Sequence, residues 1–170
     1  MSTSTRRARA ASGLATGYTM VELVVVLVLV GVLAAVAVPK MAVGLSIRDD
    51  AWRDGLLSAM RYAQKTAVSH RRMVCASVSN TQVVLTIASG NPATSCDTNL
   101  TGPNGNAAGS AFAASDNTAM TTVVSPSGVI YFQSDGRATT DGAGATTASR
   151  TLTPSGLTAI SVIGETGHAE

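Results

Sequence analysis

Gly17-Tyr18-Thr19-Met20-Val21-Glu22 places one carboxylate at the head of an apolar run, Leu23 to Val38, that carries no other charge. A charge at bilayer depth costs roughly 2.5–3.5 kcal/mol on insertion scales, so an acid in this position marks a site where a partner neutralises it. The natural partner for one carboxylate is an amine. Tyr18 to Val38 is 21 residues, and a helix rising about 1.5 Å per residue then matches a hydrocarbon layer of about 30 Å. The segment has the length to span a membrane.

Working outward toward the N-terminus, Arg6, Arg7 and Arg9 stand in a leader without any acid. The positive-inside bias keeps residues 1–17 in the cytoplasm and sends the remainder outward. A secretory signal peptide is the competing reading, since Ala35-Val36-Ala37 imitates a small-residue cleavage site. The run is longer than the usual 7–15 residues of such a core, and a disposable signal has no need of Glu22. Arg6-Arg7 also echoes a twin-arginine signal, without further support downstream. Locally, Thr19-Met20-Val21-Glu22 fits a capping box, and an acid in the first turn complements the helix dipole. Pro39 lacks an N–H and predicts a kink or break one residue past the run.

Leader, Gly17, an aromatic Tyr18, Glu22 and Pro39 together resemble the precursors of type IV pilins and type II secretion pseudopilins. The resemblance implies cleavage after Gly17 by a prepilin peptidase and an N-methylated Tyr18. It also implies that Glu22 pairs with the terminal amine of a neighbouring subunit as filaments assemble. Phenylalanine is usual in that family where Tyr18 stands here, and the ring is retained.

The chain has 170 residues and a formal charge of +2. Three of its twelve basic residues lie in the leader, so residues 18–170 hold nine cations against ten acids. Beyond the apolar run there is enough chain for one small domain. From Met73 onward the only cations are Arg137 and Arg150, against six acids, a poor footprint for nucleic acid. Cys75 and Cys96 would face an oxidising compartment, where a disulfide is the default; two buried thiols are the alternative.

After Pro39 the pattern predicts a helix continuing to about Ser69, with Leu45, Trp52, Leu56, Met60, Ala63 and Ala67 on one face. Arg48, Asp49, Asp54, Arg61 and Lys65 take the other, and Trp52 reads as a core anchor. Val74–Val78 and Val83–Ile87 read as a hairpin joined by Ser79-Asn80-Thr81-Gln82. Further strands are expected at 121–124, 128–133 and 157–163, with turns at Ser134–Arg137 and Asp141–Gly144. Residues 90–117 show little periodicity and read as a long loop. A Cys75–Cys96 bond would brace its start.

Three downstream segments are similar to one subgroup, the GspH/FimT pseudopilins. They are Arg61-Tyr62-Ala63-Gln64 leading into Arg71-Arg72-Met73-Val74-Cys75, the aromatic strand Ile130 to Gln133 with its Ser134-Asp135-Gly136-Arg137 turn, and the closing Ile160 to His168 with Thr166-Gly167-His168. Where the subgroup ends Thr-Gly-Arg, this chain has His168. In FimT-like members DNA binding is attributed to an arginine-bearing C-terminal region, whereas residues 151–170 here hold no Lys or Arg. Arg137 is then the one candidate DNA contact, and nucleic acid is not an expected partner.

An enzyme finds little support: His70 and His168 have no adjacent metal-ligand pair, no serine sits in a Gly-x-Ser-x-Gly elbow, and the aspartates are dispersed. No cofactor or metal is expected. The resemblance implies an α+β, type IV pilin-like fold: a leader (1–17), a membrane-spanning assembly helix (18–38), its amphipathic continuation (39–70) packed on an antiparallel sheet, and a periplasmic β-rich domain (71–170). It implies a single-pass inner-membrane protein, a minor pseudopilin of type II secretion that enters a periplasmic pseudopilus. Its partners would be other pseudopilins or minor pilins, the prepilin peptidase and N-methyltransferase, and an inner-membrane assembly platform. The alternative is a FimT-like minor pilin of a type IV pilus, aiding pilus assembly or DNA uptake.

Overall fold

A computed structural model of the chain describes residues 18–103 and 111–170, and of residues 38–46 it describes the backbone alone. The expected leader, Gly17 included, lies outside the described residues. The chain divides into two compact units, Met1–Ala42 and Val43–Glu170. One helix, α1 (Met20–His70), contributes to both.

Thr19 starts α1 as the capping pattern requires: its Oγ1 accepts the Glu22 N–H at 3.2 Å and its carbonyl accepts the Leu23 N–H at 3.2 Å. Of the kink or break expected at Pro39, the break does not occur, because α1 runs through that position. A proline removes one i→i−4 bond, and here the stretches on both sides are long enough to hold their own helical turns. At the other end the Arg72 N–H donates to the Ala67 carbonyl (3.1 Å) and the Arg71 N–H to the Val68 carbonyl (3.3 Å). This is the paired bonding of a Schellman stop, with Arg71 at φ 52° where glycine is usual.

In the second unit, Trp52, Leu56, Ala59, Met60, Ala63 and Ala67 form a fully buried helical stripe. They are the three- and four-residue recurrence read from the sequence, with Ala59 added and with Leu45 outside the residues whose side chains are described. Two antiparallel sheets complete the α+β architecture. In the larger, β1 (Val74–Val78), β2 (Gln82–Ile87), β3 (Thr98–Asn99), β6 (Ile130–Phe132) and β7 (Ala138–Thr139) run in the order β3-β2-β1-β6-β7, and β4 (Ala113–Ala114) also pairs with β2. In the smaller, the order is β5 (Thr122–Ser125), β8 (Arg150–Pro154), β9 (Ile160–Val162). The hairpin joining β1 and β2 has the register Val74↔Ile87 to Val78↔Val83. Side chains alternate along it: Val74 and Ala76 enter the main core, and Cys75 faces away.

β8 is the one principal strand that the apolar pattern does not reveal. Its inward positions are Arg150, Leu152 and Pro154, so only one of three is aliphatic. The described parts of residues 90–117 are also less irregular than their composition implies, since β3 and β4 pair with β2 from within them. The strand expected over 128–133 is only Ile130–Phe132, and that over 157–163 only Ile160–Val162.

Trp52 joins the layers through a polar contact as well as an apolar one. Its Nε1–H donates to Thr122 Oγ1 (3.2 Å), and that hydroxyl donates to the Asn80 carbonyl (2.9 Å). Helix, β1–β2 turn and β5 meet at one threonine. On the outer side of the larger sheet, Cys75 and Cys96 form a disulfide, packed with Met73, Ala88, Ala93, Val129 and Tyr131. The bridge spans 21 positions in sequence, and a closed loop of that size restricts the unfolded chain by about 3 kcal/mol in the chain-entropy account. Replacing both cysteines by serine is therefore expected to lower the unfolding free energy by about 2–4 kcal/mol in urea titrations. An unchanged midpoint and slope would contradict that role.

Candidate assembly site

The N-terminal face is built from α1 alone. From Tyr18 to Ala37 every side chain is exposed, Tyr18 by 81% and Met20 by 90%, and the valines and leucines between by about half or more. Helices apolar on all sides belong in a protein interior or a membrane. Met20–Ala37 is long and apolar enough to cross one, by length and composition. Glu22 stands exposed in the first turn, next to the helix N-terminus, and makes no ion pair among the described residues. Its backbone N–H is already capped by Thr19, which leaves the carboxylate available. Pro39 lies within α1, away from this carboxylate in sequence.

At the far end of the helix, three separate sequence segments are brought together. Gly136 and Gly167 touch: a Cβ on Gly167 would sit 2.1 Å from the Gly136 carbonyl oxygen, and both residues have positive φ, 94° and 63°. Gln64 Nε2 donates to the Thr166 carbonyl (3.0 Å) and Arg61 Nε to the Ala169 carbonyl (3.0 Å). Ser161 and Glu170 exchange backbone bonds of 2.9 and 3.0 Å, so the closing residues fold back along β9. The motifs around Arg61-Gln64, Gly136 and Thr166-Gly167 thus form one clamp between helix and chain end. Arg61, read from spacing as a solvated residue, is one of its donors.

Arg137 is engaged locally. Its Nε donates to Asp135 Oδ2 at 2.7 Å, and Asp135 Oδ1 accepts the Arg137 N–H at 3.0 Å. Burial pushes the Asp135 carboxyl up, but the hydrogen bonds and charge of Arg137 outweigh it and hold the group below its ordinary value. The cation offered as a DNA contact therefore already has an anion. Its side chain is 41% exposed, so the pair adds little stability. The chain's other distal cation, Arg150, is 3% exposed; its NH1 donates to the carbonyls of Pro126 and Ser127, and its Nε has no partner. The only trace of this in the sequence is the position of Arg150 two residues before Leu152.

Asp97 closes the disulfide loop. Oδ2 accepts the Ser89 hydroxyl, Oδ1 the Ser89 N–H, and these bonds, the hydroxyl first, hold its carboxyl below the ordinary value. Among the described residues no three His, Cys, Asp or Glu side chains converge as a metal site would require. A surface groove of about 570 Å³ runs beside Leu57, Tyr62 and Phe112, with Arg61, Lys65 and Asp54 on its rim. The Tyr62 and Phe112 rings are in contact, tilted by 31° with centroids 5.2 Å apart.

No protein-family model matches the chain, and no curated protein does. Among solved structures, it is similar to two crystal structures of the type IV minor pilin FimU from Pseudomonas aeruginosa strain PAO1. One aligns with TM-score 0.45 and 17% identity over 71% of this chain and 90% of FimU; the other with 0.46 and 18% over 71% and 87%.

Gly167→Ala forces a methyl into the Gly136 carbonyl. Thermal unfolding should show a loss at the upper end of the roughly 1–3 kcal/mol typical of overpacking. Asp97 and Asp135 predict acid sensitivity. A carboxylate with lowered folded pKa stabilises the fold above its ordinary pKa and ceases to as pH falls through the lowered one. Melting temperature should then decline below about pH 4, and Asp97→Asn should flatten that decline.

Proposed function

We propose that this chain is a minor pseudopilin of the GspH type. It is made as a precursor, cleaved after Gly17, methylated at the Tyr18 amine and held in the bacterial inner membrane by α1. Its β-rich domain faces the periplasm, where the protein joins a short filament that drives folded proteins out through type II secretion. One observation carries the reading. A fully exposed apolar helix presents a single unpaired carboxylate, Glu22, in its first turn.

In a bilayer that acid needs a counter-charge, and a neighbouring subunit's amine at Tyr18 supplies one. Pairing of this kind sets the axial step between subunits, because one carboxylate accepts one amine. Pro39 falls where the helix leaves the apolar layer, and the Cys75–Cys96 bond fits an oxidising periplasm. The resemblance of the Arg61–Cys75, Ile130–Arg137 and Ile160–His168 segments to GspH/FimT proteins supports the same assignment, and the clamp brings parts of all three into contact.

Two measurements test it. Deleting the gene should trap exoprotein in the periplasm, with secretion restored by complementation. Unchanged secretion with altered pilus number would instead place the protein in a type IV pilus. Glu22→Ala should insert in the membrane at wild-type level yet lose filament incorporation and secretion; wild-type secretion by this variant would defeat the pairing role.

A further inference from the structure

β5 is the outer strand of the smaller sheet, and among the described residues one of its edges is unpaired. The Ser155 N–H donates to the Thr121 carbonyl at 2.8 Å, in the register that pairs Thr122 with Pro154 and Val123 with Thr153. Bonded positions alternate along an antiparallel ladder. Val123 and Ser125 therefore bond toward β8, and the amides and carbonyls of Thr122 and Val124 point the other way. Opposite Thr122, Pro154 has no N–H to offer β5 and none is needed.

β1 ends in the same condition. Bonds from the Ala88 N–H to the Met73 carbonyl (2.9 Å) and from the Ser79 N–H to the Gln82 carbonyl (2.8 Å) fix its odd-numbered residues toward β2. Val78 is thereby turned to the β6 side, where pairing stops at Ala76↔Ile130 and the chain turns away at Gly128, φ 119°. The two bare edges share one cavity of about 370 Å³. Val78, Thr122 and Val124 line it, and Ser127–Val129 border it. Arg150 anchors the adjoining Pro126–Ser127 carbonyls.

None of the described residues that line this slot carries a charge. Free edges are commonly blunted by lysine, proline or a bulge, and Thr122-Val123-Val124-Ser125 has none of these. We propose that the slot takes a short, uncharged, extended segment of a neighbouring filament subunit. That segment adds a strand bonded to Thr122 and Val124 on one side and to Val78 on the other. A charged segment would lose water without meeting a counter-charge, which restricts the partner to neutral residues. The inference rests on the assembly reading.

Amide exchange of the full-length protein tests it. Thr122 and Val124 should exchange freely in detergent and at least about tenfold more slowly in filaments, the size of effect one or two hydrogen bonds give. Val124→Pro removes one outward N–H and leaves the β8 ladder intact. It should melt with the wild type and enter filaments about tenfold less. Wild-type filaments with these amides unprotected, or normal incorporation of a folded Val124→Pro protein, would overturn the strand addition alone. A wild-type chain that enters no filament would overturn the assembly reading and this inference with it.

Discussion

One helix has to satisfy two surroundings, and that demand governs the chain. Up to Ala37, α1 is apolar on every side and buries none of it. From Trp52 onward it is apolar on one face only, and that face is covered completely. The first pattern has a low free energy only in an apolar layer, the second only against a folded domain. No local propensity distinguishes the two halves, since both are helical. The distribution of apolar side chains around the axis does.

The domain holds its part of the helix by devices that use few charges. Trp52 supplies the largest buried side chain and reaches Thr122 with its one polar atom, so the aromatic body and the hydrogen bond specify the same place. The clamp of Arg61 and Gln64 acts on backbone carbonyls, which do not titrate. The disulfide fastens the outer face of the larger sheet to the chain that follows β2. Each joins residues far apart in sequence, and together they explain how short strands of two to six residues form lasting sheets.

Much of this was legible in the residues. The 3.6-residue stripe through Trp52, Leu56, Met60, Ala63 and Ala67, the β1–β2 hairpin and the turns at Gly136 and Asp141 follow from period and turn chemistry, which are local. The Cys75–Cys96 bond was one of two alternatives that the cysteine count left open, and the structure forms it. What was not legible depends on distant partners. β8 hides because a buried arginine and a proline occupy core positions, and Pro154 is tolerated only because its missing N–H falls at a non-bonded pair. The division into two sheets, the stop at Arg71 without a glycine, and the meeting of Gly136 with Gly167 have no signature within any one window.

Arg137 and Arg150 are the only cations after residue 73, and each is consumed inside the fold, by Asp135 and by two carbonyls. From Met73 onward the chain thus has no spare cation with which to attract an acidic surface; the nearest exposed ones, Arg71 and Arg72, stand at the end of α1. Long-range attraction of an acidic partner, which speeds encounter and fades as salt screens it, is therefore weak over these strands. An acidic partner would have to be recognised there by shape and neutral hydrogen bonding at close range, and such contacts hold with little regard to ionic strength.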